Sequence, residues 1–370
     1  MAQRATIILS EENIGEIVAA VGLDTLMDET IAKLRDALNV FGDGQVEIQP
    51  RTGFVYETPE MGLIEFMPAY RRDKNVALKV VGYHPGNPFN RGMPTVIATN
   101  SLYDVRDGHL IAVIDGVFAT AVRTGAASAV ASKLLAHPES KTLGLIGAGA
   151  MAVTQAHALS RIYDFDAVLI HDIDPAVEKT FAKRVSALGI TPIIASKDRV
   201  LAESDIICVA TSIGLDAGPV LHAGGMKPHV HINAIGADTP RKYELSTELL
   251  KSSFLVTDYL EQAINEGECQ QLSKDEYGYI GPELHKIVKE PQAYIQYQMK
   301  QTIFDSTGIS LEDQIMTEVL IDQAERLGLG QRILIEAGCD DPMNPYLFSN
   351  SANALDTVKN TVHDRTLKLA

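Results

Sequence analysis

The chain has 370 residues, a formal net charge of -16, 46% hydrophobic residues and 22% charged residues, an ordinary globular mix with room for two domains and too apolar for global disorder. That acidic balance argues against a nucleic-acid or anionic-membrane surface, which needs clustered Lys and Arg, and still leaves room for a local basic pocket. Cys208, Cys269 and Cys339 are too scattered for a zinc site or a disulfide framework, no stretch approaches the ~18 apolar residues of a membrane span, and the run Ile7–Leu9 is too short for a signal peptide, so no metal and no membrane are expected and a cytoplasmic location follows.

The predicted elements begin with a helix: Ser10 before two glutamates reads as an N-cap, with apolar periodicity running through Leu26 and Ile31. The runs FVYE, MGLIEFMP, VALKVVGY, TVIATNSLYD and HLIAVIDG are separated by Gly, Pro, Asn and Asp and read as strands of a mixed or antiparallel sheet. From Ala119 the pattern ATAVRTGAASAVASKLLA turns helical. Between residues 141 and 260 the rhythm changes to TLGLIGAGAM, AVLIHDID, TPIIAS, DIICVATS, HVHINAIGAD and SFLVTDY, short apolar strands alternating with helical stretches. That alternation implies βαβ units and a Rossmann-type doubly wound parallel sheet, an α/β fold. A last helix starts after about residue 310 with Gly330 in its C-cap region, and the polar tail beyond Asp341 is expected to pack across the first part of the chain or a partner subunit.

The sharpest local motif is Gly147-Ala-Gly149-Ala150-Met151-Ala152 directly after the strand Thr142–Ile146. In this GxGxxA form the first glycine makes the turn, the second lets the backbone approach a pyrophosphate, and the third small residue lets helix and strand pack closely. The pyrophosphate then meets free N–H groups at a helix N-terminus. The next strand ends at Asp172, spaced to accept the ribose hydroxyls and to repel a 2′-phosphate, which favours NAD over NADP; Asp174 is the alternative for that contact. Thr211 and Ser212, at the end of a later strand, are placed near the nicotinamide side or are ordinary loop hydroxyls.

Five charged residues stand out. Lys79 lies inside VALKVVGY and either snorkels outward or is held at a buried anion. Arg123 lies among small residues that allow close approach, where a guanidinium suits a carboxylate. Glu65 interrupts the apolar strand GLIEFMP, and Arg51 precedes it. Asp238 follows the strand of HVHINAIGAD: it is either a general acid or base whose pKa burial would raise, or the cap of a helix beginning near Pro240. His84 either touches the same region or steadies the turn before Pro85, and Cys208 reads as core.

The segments IEFMP, LKVVGYHPGN, AVRTGAASAVASKLLA, LGLIGAGAMA, NAIGADTPRKYEL and IFDSTGISLED occur in this order, and over residues 40–335 the chain resembles the ornithine cyclodeaminase/μ-crystallin family, most of all its cyclodeaminase branch. The resemblance implies a Rossmann domain over 131–314 and a mixed α+β substrate-binding and dimerisation domain from 1–130 plus 315–370, hence a homodimer. It implies Arg51, Lys79 and Arg123 as ligands of a substrate carboxylate, with Glu65 and Asp238 beside the substrate amines, although Arg51 lies further from IEFMP than the family spacing. The implied reaction is conversion of L-ornithine to L-proline and ammonia with NAD borrowing the α-hydride. Alternatives are a lysine cyclodeaminase, an alanine dehydrogenase, an imine reductase, or a non-catalytic binding protein of the crystallin kind. Two acids for a substrate with two amines are the physical reason to put a diamino acid ahead of alanine.

Overall fold

The computed structural model describes residues 4–336, 341, 343 and 344; most of the polar tail lies outside the described residues. Ser10 caps the first helix, its hydroxyl accepting from the Asn13 N–H while Asn13 reaches back to the Ser10 N–H. The periodicity beyond it is not one helix: Gly22, at φ 87°, separates Glu11–Val21 from Leu23–Val40, a positive φ that favours glycine.

The first sheet has Gly62–Arg71, Asn75–Tyr83, Val96–Asp104 and Leu110–Asp115 as an antiparallel meander, with Thr52–Tyr56 and Val46–Ile48 both paired to Gly62–Arg71. Segments from the beginning and from late in the described chain join it: Thr6–Leu9 pairs parallel with Leu110–Asp115 and antiparallel with Gln331–Ile333. Strand alternation sends Leu63, Met67, Ala77, Val81, Ala98 and Leu102 to one buried face. The helix Ser310–Leu327 packs on that face and also on Val117–Leu135 and Leu23–Val40. It ends at Gly328 in the left-handed region, two residues before the expected Gly330.

The second sheet is entirely parallel. Its order is Pro192–Ile194, Ala167–His171, Thr142–Ile146, Ile206–Val209, His231–Ala234, Thr302–Asp305, Phe254–Thr257 and Ile280–Glu283. The doubly wound α/β fold expected from the rhythm is present, with two strands, Ile280–Glu283 and Thr302–Asp305, beyond the six anticipated. Chain order reverses between Thr142–Ile146 and Ile206–Val209, and ligands of such sheets lie beyond the strand C-termini at that point.

The helix Val117–Leu135 joins the two halves and is buried over most of its length. Its small residues serve a helix crossing: a Cβ on Gly125 would fall 2.5 Å from Thr154 O on the helix Ala150–Ser160. The close approach expected around Arg123 is therefore made in part by protein backbone. No helix among the described residues is long and apolar enough to cross a membrane.

Candidate active site

The glycine turn has the geometry its motif implies. Gly147 has φ 88°, and a Cβ there would lie 2.5 Å from Ala210 O. A Cβ on Gly149 would meet nothing within 4 Å, so the second glycine faces open space where a ligand backbone can approach. Gly149 is the N-cap of Ala150–Ser160 without a side-chain cap bond, leaving the helix N–H groups for an anion. Ala152 is fully buried, the close-packing third position.

Asp172 stands at the end of the neighbouring strand. Its Oδ2 accepts from Ala148 N at 2.8 Å and its Oδ1 from Asp174 N at 2.9 Å, tying the carboxylate to the glycine turn. Asp174 is instead the N-cap of Pro175–Arg184, accepting from Ala176 N. Thr211 turns both its N–H and its hydroxyl to Glu244 Oε1, at 2.7 and 2.6 Å, and Glu244 Oε2 takes the Gly236 N–H at 2.9 Å. This buried carboxylate, missed in the sequence, stitches together the loops after two adjacent strands. Ser212 is exposed.

A cleft runs from this turn to the first sheet, lined among others by Met151, Arg51, Glu65, Lys79, Arg123 and Asp238. All five charged candidates thus face one space, and Met151 of the glycine-turn helix lines it too. Lys79 and Arg123 are 3% and 5% exposed and share one acid: Asp313 Oδ1 lies 3.0 Å from both Lys79 Nζ and Arg123 Nε. Arg123 Nη1 also meets Glu312 Oε2 at 2.5 Å. Arg123 Nη2 carries no hydrogen bond among the described residues, and Lys79 donates only to Asp313. Gly308 makes room for the guanidinium, since a Cβ there would fall 2.4 Å from Arg123 Nη1. Burial pulls the Lys79 ammonium down to about 8 in spite of Asp313, and pushes the Glu312 carboxyl up to about 7.

Arg51 is placed differently. Its Nη1 lies 3.3 Å from Glu65 Oε2 and 3.4 Å from Asp238 O, Nη2 donates to the Thr307 and Gly308 carbonyls, and Nε faces Glu266 Oε1 at 2.8 Å. All three nitrogens already lie against protein acceptors. Glu266, absent from the sequence candidates, is pushed up to about 8 by burial, Arg51 only partly offsetting it. Burial also raises Glu65.

Two expectations for Asp238 need correction. The segment after it is a turn, and the next helix, Thr247–Ser252, is capped by Ser246, so Asp238 caps no helix. Its pKa is not raised: burial pushes it up, but Lys242 and Arg51 outweigh burial and hold the carboxyl below its usual value. His84 lies outside the cleft lining, its Nε2 2.7 Å from Tyr56 Oη, which supports the turn-steadying reading. Cys208 is buried core.

Comparison with known proteins agrees with this architecture. A family model described as the ornithine cyclodeaminase/mu-crystallin family matches residues 11–327. An L-lysine cyclodeaminase of Streptomyces rapamycinicus is 39% identical over 342 residues, 92% of this chain and 99% of that protein. A solved lysine cyclodeaminase structure, concerned with recognition of L-lysine, L-ornithine and L-2,4-diamino butyric acid, superposes with a TM-score of 0.89 at 44% identity, covering 93% of this chain and 99% of that one. An archaeal alanine dehydrogenase dimer with bound NAD gives 0.80 at 31% identity over 89% of this chain and 99% of that one.

Proposed function

Because the chain belongs to the ornithine cyclodeaminase/mu-crystallin family, we propose that it is an NAD-dependent cyclodeaminase of a diamino acid, with L-lysine ahead of L-ornithine as substrate. The ordering of substrates rests on the relative named L-lysine cyclodeaminase; the substrate class rests on the cleft. Its single decisive feature is that Lys79 and Arg123, with donors left over, share one space with two acids, Glu65 and Asp238. A monoamino acid needs only one of those acids.

The residues at the glycine turn fit NAD: Gly149 leaves the approach open, the uncapped helix N-terminus suits the pyrophosphate, and Asp172 suits the ribose while repelling a 2′-phosphate. When bound, NAD supplies the acceptor and later the donor for the α-hydride. The protein handles orientation and protons. Lys79 and Arg123 hold the carboxylate, which fixes the α-carbon in the cleft beside Met151. Arg51 joins them only by exchanging Glu65 for the substrate carboxylate, and that exchange frees Glu65 for an ammonium. Asp238 takes a proton from the distal ammonium, so that this nitrogen can form its bond to the α-carbon. Asp238 then gives that proton to the α-nitrogen, so that the old Cα–N bond breaks and ammonia leaves. Ring size follows chain length: six members from lysine, five from ornithine.

A homodimer fits the open face of the first sheet. Register places Phe54, Ile64, Gly82 and Ile97 in one row across four strands, and Phe54 is 70% exposed. A second copy is the proposed cover; the archaeal alanine dehydrogenase that resembles this chain is itself a dimer.

The deciding experiment incubates the protein with L-lysine, L-ornithine or L-alanine and a catalytic amount of NAD. Ammonia and a cyclic amino acid forming without net NADH support the cyclodeaminase. NADH accumulating with alanine instead supports the dehydrogenase.

A further inference from the structure

The segment after Asp238 is built as a tight turn whose purpose is visible in what it brings together. Arg241 adopts φ 70°, a left-handed conformation that a long side chain rarely takes. Such backbone persists only where surrounding bonds impose it. Here Gln270 imposes it: its Oε1 accepts the Arg241 N–H at 2.6 Å, and its Nε2 donates to the Thr239 carbonyl at 3.3 Å and the Lys242 carbonyl at 3.0 Å. Asp216 holds the Arg241 side chain from outside, and Lys242 N closes onto Thr239 O at 3.1 Å. The turn folds Lys242 back onto Asp238, with Nζ 3.0 Å from Oδ1.

Lys242 is 6% exposed. Its ammonium lies 5.2 Å from the centroid of the Tyr83 ring, and Tyr83 is a wall of the cleft. Thr239 Oγ1 also points at Asp238 Oδ1, at 3.4 Å. Both contacts fall on the same oxygen, and Oδ2 has no hydrogen bond among the described residues. Since Asp238 lines the cleft and its side chain is 35% exposed, that second oxygen is the one open to a ligand.

We propose that Lys242 is the positioning residue for Asp238: it holds Oδ1, presents Oδ2 to the substrate's distal nitrogen, and keeps the carboxylate anionic until that ammonium arrives. The proposal rests on the cyclodeaminase reading. The groups facing Asp238 are Lys242 from its own turn, Arg51, Glu65 and Tyr83 from the first sheet and the segment leading into it, and Glu266 from the helix Leu260–Glu266. Of the two cations among them, Arg51 is shared with Glu65 and Glu266, whereas the ammonium of Lys242 makes its one hydrogen bond among the described residues to Asp238. Lys242 itself faces Asp238, Tyr83 and Glu244.

The test compares wild type, Lys242→Met, Lys242→Arg and Asp238→Asn as full-length protein. An adjacent opposite charge lowers a carboxyl by ~1–3 pH units, so Lys242→Met should move the acidic limb of the kcat/KM profile up by ~1–3 pH units. Lys242→Arg should restore the limb, NAD affinity should stay as in wild type, and Lys242→Met should cost nothing further in the Asp238→Asn background. If Lys242→Met does not fold, Lys242→Gln replaces it. An acidic limb that stays in place while kcat falls overturns the proposal, because a merely structural lysine would behave so. If wild type deaminates none of L-lysine, L-ornithine and L-2,4-diaminobutyrate, the cyclodeaminase reading fails by itself. The pairing is then read from the 13C carboxyl titration of residue 238, assigned by Asp238→Asn: a midpoint that rises in Lys242→Met supports it, and an unmoved midpoint overturns it.

Discussion

Replacing Lys79 with methionine separates what this side chain contributes to binding from what it costs the fold. Lys79 is 3% exposed and its ammonium has one carboxylate partner, Asp313, at 3.0 Å. Burial takes its pKa from 10.5 to about 8 despite that partner. A tenfold change in proton affinity is worth ~1.4 kcal/mol, so the charged form is disfavoured on folding by about 3 kcal/mol relative to a neutral side chain of similar shape. The folded value lies below the unfolded one. The cost is therefore fully present below about pH 8 and fades as pH rises toward 10.5. Methionine fills much of the same volume, and Asp313 is not stranded, because Arg123 Nε still reaches the same oxygen at 3.0 Å. Lys79→Met should therefore melt no lower than wild type at pH 7, with any advantage shrinking toward pH 10. On the proposed reading the substrate carboxylate, in contrast, should lose a charge-assisted hydrogen bond of ~1.5–3 kcal/mol, a ~10- to 150-fold rise in Kd. Calorimetric melts at the two pH values and amino-acid titrations in the presence of NAD provide both numbers. A variant melting well below wild type at pH 7 would make the Lys79–Asp313 pair a stabilising strut, and a Kd within about twofold of wild type would remove Lys79 from carboxylate binding; either refutes the reasoning.

The two glycines of the nucleotide turn should respond oppositely: Gly149→Val, with nothing within 4 Å of its Cβ, should keep the wild-type melting temperature and lose NAD binding by fluorescence titration. Gly147→Ala, at φ 88° with Ala210 O 2.5 Å away, should lose ~1–3 kcal/mol of stability; equal melting of the two would contradict the turn geometry. Asp172→Ala removes the acceptor for Ala148 N and Asp174 N, and should weaken NAD while narrowing its lead over NADP, as measured by paired Kd values. Phe54→Asp, at one end of the exposed row on the first sheet, should convert a dimer to a monomer by light scattering without lowering helix content; a dimer that survives it uses another face.

The strands of the meander and the six anticipated strands of the parallel sheet were legible because each is bounded by turn residues and carries either alternation or an unbroken apolar run. Those that escaped are short or ambiguous in composition. Val46–Ile48 and Gln331–Ile333 have three residues each, and Gln331–Ile333 is a strand only because Thr6–Leu9 lies beside it. Ile280–Glu283 reads IGPE, with a proline and a glycine that argue against a strand until its edge position is known. The split at Gly22 was hidden because apolar periodicity continues on both sides of it; only the backbone angle reveals the break.

The cleft was legible in part, and the reason is the range over which its parts interact. Gly147, Gly149 and Asp172 lie within one βαβ unit, where spacing along the chain fixes spacing in space. Lys79 and Arg123 could be singled out as charges in apolar or small-residue settings, but what answers them lies far along the chain, at the start of the helix Ser310–Leu327: Asp313 is 234 residues beyond Lys79 and 190 beyond Arg123, with Glu312 beside it, and nothing local marks those two acids. The error over Asp238 has a different cause, the geometry of a turn. Burial alone raises a carboxyl, which is all that a sequence reader can weigh; the sign reverses only when Lys242 is folded back four residues by a left-handed Arg241 and Arg51 arrives from the other sheet. Glu266 is the converse case. It ends an unremarkable helix and gains meaning only because Arg51 Nε stops 2.8 Å from it. Charge identity was thus readable residue by residue, whereas proton affinity belongs to the assembled group, because each carboxyl here is set by cations that folding brings to it, from its own turn or from another element, and by burial that exists only once both sheets have packed.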